Sequence, residues 1–554
     1  MRKTNAHFEN FANMQRLYCV WIEARGGADV QLISLWIDPT MVAFEPSTPE
    51  RAAADSAASI SAPILGGQDE AGDSQVPDET DGAARVASSL RGFAGRLIPV
   101  FLLIAMVSAK TLYGQTAASA SGQGQDVNSI TQNWNLHGQV TETVQGDPGF
   151  PAQYSGPNSL NSNGEVQETF TSDLFIGARL WQGGEIHVDG LVWQGYGLSH
   201  TEGIEAFPNG DAYKLGTTYP HFMLAHLFIR ETIGLGGKQE SVPDDPLTLA
   251  GKQDISRLTF TIGRFSLTDM FDHNAYAEDP HTQFMNWAMQ TNLAWDFPSD
   301  SVGYTTGVAV ELNQSNWALR SGFFQVPGTK NGFTADDQIL TFPHQGSSGK
   351  FFGSWGTAME LERRYDADAR PGAIRLLAWM DEADMISYRE ATPILEASGP
   401  GANLSTARAH RRKYGFGLNW EQELANNVGL FSRLGWNDGQ EEGWMYTDAN
   451  WTASLGMSVN GAAWRRTTDS LGLAFVTSGA SNSAQKYLEA GGTDIVDGDG
   501  NLTYGSEKVV EAYYNFAIWK DIHATVDYEF VDNPAFNRDR GPVSVFGTRF
   551  HWEF

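Results

Sequence analysis

The chain has 554 residues and a formal net charge of -29, with 59 glycines, 31 phenylalanines, 17 tryptophans, 17 tyrosines and a mean hydropathy of -0.32. So large an acidic surplus excludes nucleic acid as a partner, and the lack of any apolar run of roughly 20 residues excludes a bundle of membrane-spanning helices. The single cysteine, Cys19, leaves everything after it without disulfides or thiolate metal sites.

Residues 1–90 carry no strand alternation and end in an Ala/Ser/Asp/Glu/Pro-rich stretch from about Ser47 to Ser89, a composition that cannot build a core. Arg91 and Arg96 then precede the apolar run Leu97 to Val107 and a series of small residues. Positive, apolar, small is the order of a secretory signal peptide, here over residues 91–120, with cleavage expected after Ala109 or Ala120. A signal peptide belongs at the start of a chain. The expectation is therefore that translation begins near Val86 or Leu90, and that residues 1–90 are a misplaced or disordered extension. Residues 121–554 would be the mature protein.

From Trp134 onward the chain breaks into alternating segments of about ten residues separated by turn residues. The last is the clearest: Phe546, Thr548, Phe550, Trp552 and Phe554 fall on one side of an extended chain, and Val545, Gly547, Arg549, His551 and Glu553 on the other. In an antiparallel barrel of the outer-membrane type, the first face meets lipid and the second a wet lumen. Its aromatic terminus resembles the signal read by the bacterial barrel-assembly machinery. Both ends of such a barrel lie in the periplasm, so the strand number is even. Counting back from the tight Lys520–Asp521 turn gives sixteen strands if Met289–Phe297 is not one of them, and eighteen is the alternative. The sixteen-strand count merges residues 267–302 into one external loop, and Ser266–Ser301 becomes the natural inward-folded constriction. It also leaves Gly236–Ser256 unusually long for a periplasmic turn.

Several stretches resemble the carbohydrate-selective outer-membrane porins of the OprB family. They include Tyr154-Ser-Gly-Pro-Asn-Ser-Leu160, Gly177-Ala-Arg-Leu-Trp-Gln-Gly-Gly-Glu185 and Gly263-Arg-Phe-Ser-Leu-Thr-Asp-Met-Phe-Asp272. Asn274 to Pro280, Phe284-Met-Asn-Trp287, Glu511-Ala-Tyr-Tyr514 and Asn533 to Pro542 complete the set. The resemblance implies a sixteen-stranded bacterial outer-membrane channel passing glucose-type mono- and oligosaccharides down their gradient. A general, non-selective porin and a barrel-based surface receptor are the alternatives. The partners to expect are small sugars, outer-membrane lipids, lipopolysaccharide and the assembly machinery.

A sugar pore needs polar groups to replace hydration and aromatic faces for the apolar faces of pyranose rings. Alternation turns Asp173, Arg179, Trp181, His187, Asp189 and Trp193 into the lumen. It does the same for Arg257, Glu311, Arg320, Arg375, Trp379, Arg433, Asp527, Glu529 and Arg549. In the constriction segment Arg264, Asp269, Asp272, Asn274, Asn286 and Trp287 crowd together, some to line the passage and some to anchor the loop. Asp497, Asp499 and Asn501 have the oxygen ligands of a calcium loop, but Leu502 and Lys508 stand where its glycine and glutamate belong. An external turn is the better reading, and no cofactor is expected. The basic run Arg408–Lys413 suits lipopolysaccharide phosphates or a solvated loop end. No HExxH or GxSxG motif is present, so the chain is not read as an enzyme.

Overall fold

Alternation becomes architecture in the computed structural model, which describes residues 131–212, 216–333, 340–342 and 350–554. The expected extension and signal peptide lie outside the described residues. Among those residues, the first eight barrel strands are β1 (Trp134–Asp147), β2 (Glu165–Trp181), β3 (Gly184–Gly195), β4 (Thr217–Gly234), β5 (Arg257–Phe265), β6 (Thr305–Asn313), β7 (Trp317–Val326) and β8 (Ser354–Ala367). The other eight are β9 (Arg370–Ile386), β10 (Arg408–Ala425), β11 (Val428–Asn437), β12 (Trp451–Asn460), β13 (Ser470–Gly479), β14 (Glu507–Trp519), β15 (Ile522–Asp532) and β16 (Val543–Glu553). Each pairs antiparallel with its neighbours in chain order, and a two-residue piece, Thr341–Phe342, adds to the upper part of β4.

The barrel closes where β1 meets β16, from Gln139 opposite Glu553 to Gly146 opposite Phe546. Beyond the strand, the amide of Phe554 donates to the carbonyl of Gly138 at 3.0 Å. Closure pairs the first strand with the last, so the sheet has no free terminal strand, which is what a sheet in hydrocarbon requires. Leu174 and Ile176 of β2, Phe260 and Ile262 of β5 and Phe416 of β10 are exposed on the outer face. The alternate residues, among them Thr171, Asp173 and Thr261, are buried inside. A greasy outside and a polar inside are the reverse of a water-soluble barrel.

The sixteen-strand reading holds. Met289–Phe297 does not span: Asn286 caps the single helical turn Trp287–Gln290 by accepting from the Ala288 amide, and Met289, Trp295 and Phe297 are buried within the barrel. The overlong turn between β4 and β5 has a use of its own. It folds as a hairpin, Gln239–Val242 against Gly251–Asp254, and turns back under the lumen. There the Asn135 amide donates to Asp244 Oδ1 at 3.0 Å and to the Asp245 carbonyl at 2.9 Å, while Arg230 Nη1 donates to the Leu247 carbonyl at 2.8 Å. One end of the barrel thus carries mainly tight turns. Long loops at the other end pack on one another around helices Tyr388–Ser398 and Asn482–Glu489.

Candidate functional site: a constricted lumen

Between β5 and β6, residues 266–304 leave the wall and run through the barrel. A chain segment inside a lumen must find partners for its own amides and carbonyls, and the inward faces of distant strands supply them. Ser266 and Asp269 open the segment with a capping box, the Ser266 amide donating to Asp269 Oδ2 at 2.9 Å. Asp272 turns the chain at φ 60° and is gripped from the wall. Glu360 accepts its amide at 2.7 Å, Asn419 Nδ2 donates to Oδ1 at 2.7 Å, and Arg433 Nε lies 3.0 Å from Oδ2. Arg433 Nη1 also donates to the Met289 carbonyl at 2.7 Å, tying two parts of the loop together.

Further along, Glu511 accepts the amides of Met285 at 2.5 Å and Asn286 at 3.3 Å, and Asn286 Nδ2 donates to Glu529 at 2.6 Å. Arg549 donates to the Pro280 and Gln283 carbonyls, the latter at 2.8 Å. Lys413 Nζ lies 3.2 Å from Asp296, whose carboxylate also caps the amides of Trp444, Met445 and Tyr446. Arg264 pairs with Asp300 where the loop returns to the wall. Glycine makes room for this passage: Gly417 and Gly435 face each other across β10 and β11, and a Cβ on either would meet the Asn292 amide at 2.5 or 2.0 Å.

Among the described residues, two sizeable cavities flank the loop. The larger, about 890 Å³, lies toward the short-turn end and is lined by Arg179, Arg257, Glu311, Arg320 and the inturned hairpin. The smaller, about 390 Å³, is lined by Phe207, Asp211, Asp272, His281, Trp287 and Tyr446. Asp269, Phe271 and His273 line both, so this turn stands between them. Asp269 is held by a histidine: His226 has Nδ1 2.9 Å from Asp189 and Nε2 2.9 Å from Asp269. Both acids are satisfied only when the ring donates from both nitrogens. In the larger cavity Arg179 pairs with Glu185 at 3.1 Å, Arg257 with Glu240 at 2.6 Å, and Arg320 with Glu311, Glu360 and Glu362 at 2.7, 2.8 and 3.1 Å. The smaller is aromatic on one side. Trp287 stacks on Phe207 with centroids 5.3 Å apart and planes at 12°, and Tyr446 lies 5.2 Å away.

His281 of the loop lies 3.6 Å from Asp211 and 3.5 Å from Asp279. Burial opposes its charge, but these carboxylates outweigh burial and raise its pKa to about 9. Folding therefore favours the imidazolium. Its contribution, of order 2–3 kcal/mol, is complete below the ordinary value of 6.5 and is lost as the pH climbs through about 9. Bilayer conductance is expected to become noisier and larger between about pH 8 and 10, and His281→Gln to flatten that profile. A wild-type trace that does not change across this range refutes the assignment.

The structure places the residues expected from the sequence in two groups. Arg179, Arg257, Asp269, Asp272, Trp287 and Arg320 line a cavity. Asp189, Trp193, Arg264, Asn274, Asn286, Arg375 and Arg549 are buried against neighbours and line neither. Trp193 stacks on His221, Asn274 bonds Asn419, and Arg375 pairs with Glu362 and Glu421. Trp181 is the outlier, 52% exposed at the rim, because a bulge after Arg179 breaks the alternation. His226 and Arg230 are inward residues that the sequence reading passed over. The outward run Leu227, Ile229, Ile233 held the signal for both. The calcium-like run does not converge: Asp499 engages the Tyr154 hydroxyl and the Asn537 amide, while Asp497 turns toward Glu205 and Asp448.

A closed sixteen-strand barrel, greasy outside and narrowed by an inward loop, is the build of a porin of the bacterial outer membrane. Residues 157–554 match the family described as carbohydrate-selective porin, OprB family, and the chain belongs to that family. The high-pH structure of Pseudomonas putida OprB is similar at a TM-score of 0.56 and 15% identity, covering 76% of this chain and 94% of that one. The outer-membrane channel DcaP of Acinetobacter baumannii gives 0.41 and 9%, covering 77% and 99%. No curated protein matches the sequence. The chain is a sugar-selective outer-membrane channel, and family and fold point away from an enzyme.

Proposed function

We propose that the channel passes glucose-type mono- and oligosaccharides by passive diffusion, from the smaller cavity past the Asp269–His273 turn into the larger. The observation that carries this reading is the Phe207–Trp287 ring pair, beside a cavity that also presents carboxylates and histidines such as Asp211, Asp272 and His281. A pyranose has apolar C–H faces and a rim of hydroxyls. The rings take the faces, and the carboxylates and guanidinium groups take the hydroxyls. Arg179, Arg257 and Arg320 of the larger cavity are each paired with acids, so the passage offers fixed dipoles to a neutral solute. Arg179, Arg257, Asp269, Asp272, Trp287 and Arg320 are the proposed sugar-facing set, while Arg433 and Arg549 hold the loop. At the rim the basic run keeps Arg412 two-thirds exposed beside Glu382, a group suited to lipopolysaccharide phosphates. The C-terminal strand is the proposed signal to the assembly machinery.

Planar bilayers test the sugar reading. Added maltose-series sugars are expected to reduce conductance, and Trp287→Ala to raise the half-blocking concentration about tenfold, or about 1.4 kcal/mol, with sugar-free conductance little changed. Liposome swelling rates for sugars and amino acids that follow size alone would reduce the protein to a general porin.

A further inference from the structure

Glu205, Asp448 and Asp497 come from three different loops, those following β3, β11 and β13, and one carboxylate oxygen of each lies within 4.8 Å of the other two. All three residues are buried, at 1%, 3% and 0% exposure. Two of them already serve the backbone. Glu205 Oε1 accepts the amides of Asp448 at 3.0 Å and Ala449 at 2.8 Å, and Asp448 Oδ2 accepts those of Val496 at 2.7 Å and Asp497 at 3.1 Å. These bonds set the loops in register and bring the acids to one point.

Asp497 is different. It is wholly buried, and among the described residues neither of its side-chain oxygens has a hydrogen-bond partner. A bare buried carboxylate is strongly unfavourable without a counter-charge. Its charged surroundings make matters worse, since Asp494 and Glu507 add to the field of Glu205 and Asp448. Lys330 is committed elsewhere, 3.3 Å from Glu442 and 3.5 Å from Asp494. Burial and these acids push the carboxyls of Asp497 and Asp448 well above the usual range.

We propose that Glu205, Asp448 and Asp497 hold one divalent cation of the hard, oxygen-seeking class, Ca²⁺ in practice, which clamps the three loops together. An all-carboxylate donor set built on irregular loops suits Ca²⁺, which accepts flexible geometry and completes its shell with carbonyls and water. The site stands apart from the sugar path. It still bears on that path, because Phe207, two residues after Glu205, forms half of the ring pair.

The test uses the chain refolded in detergent without lipopolysaccharide, so that lipid-borne calcium cannot mislead. After equilibration with CaCl₂ and gel filtration, elemental analysis is expected to find about one Ca²⁺ per chain. EGTA is expected to lower the thermal midpoint, and re-added Ca²⁺ to restore it. Asp497→Asn should lose both the bound metal and the Ca²⁺-dependent shift, while Asp499→Asn keeps them. Metal-free wild-type protein, or metal retained by Asp497→Asn, overturns the proposal. Should Asp497→Asn fail to refold, calorimetric titration of the wild-type chain decides. Saturable Ca²⁺ binding supports the site, and no binding up to about millimolar Ca²⁺ overturns it. None of these readouts involves sugar, so their failure leaves the transport reading intact.

Discussion

Arg433→Met is expected to enlarge the channel and weaken its sugar block while leaving the barrel folded. Methionine keeps the volume of the stem and removes the guanidinium that lies 3.0 Å from Asp272 Oδ2 and donates to the Met289 carbonyl at 2.7 Å. Arg433 is 1% exposed and Asp272 5%, so the acid is left buried without its cation. Breaking a buried pair from one side costs about 3–5 kcal/mol, enough to shift a held loop toward release by a factor of about 100 or more. The loss falls on residues 266–304, because the strand ladders of β11 with β10 and β12 are backbone bonds that do not depend on this side chain. Single-channel conductance and its noise should rise together, and limited proteolysis should cut within the loop. A variant with wild-type conductance and an uncut loop would show that the remaining anchors suffice.

Arg320→Met should turn the larger cavity toward cations. Arg320 lies within 3.1 Å of Glu311, Glu360 and Glu362, and among the described residues no other arginine bridges all three acids. The wall should survive, since Glu362 keeps Arg375 at 2.9 Å and Arg364 at 2.7 Å. Glu311 and Glu360 lose their cation, and Glu311 faces the cavity. A unit charge a few ångströms from an ion's path is worth about 1 kcal/mol even in water. The cation-to-anion permeability ratio, read from the reversal potential across a salt gradient, is therefore expected to rise about fivefold. An unchanged reversal potential would place Arg320 off the ion path.

These two arginines mark how far the sequence could be read. Both were assigned to the lumen by alternation, and both do point inward. Alternation cannot say that Arg320 lines the larger cavity while Arg433 is buried under a loop, because both are simply inward positions of their strands. Arg549 makes the same point: it sits on the polar face of the last strand and is consumed by the carbonyls of Pro280 and Gln283. Trp181 fails for a different reason, a bulge that one residue of slip introduces into β2. His226 was legible but unread, and its importance comes from Asp189 and Asp269, which lie far from it in sequence.

The sequence by itself determined the class, the strand number and the segment that narrows the channel. Those properties rest on a period of two and on turn residues, which act over a few neighbouring positions and need no knowledge of the rest of the chain. Tertiary structure decided which inward residues remain open, which become anchors, and which loop acids converge at Glu205, Asp448 and Asp497. Each of these depends on where residues 266–304 and the outer loops settle, and thus on satisfying buried amides and charges from strands hundreds of residues away.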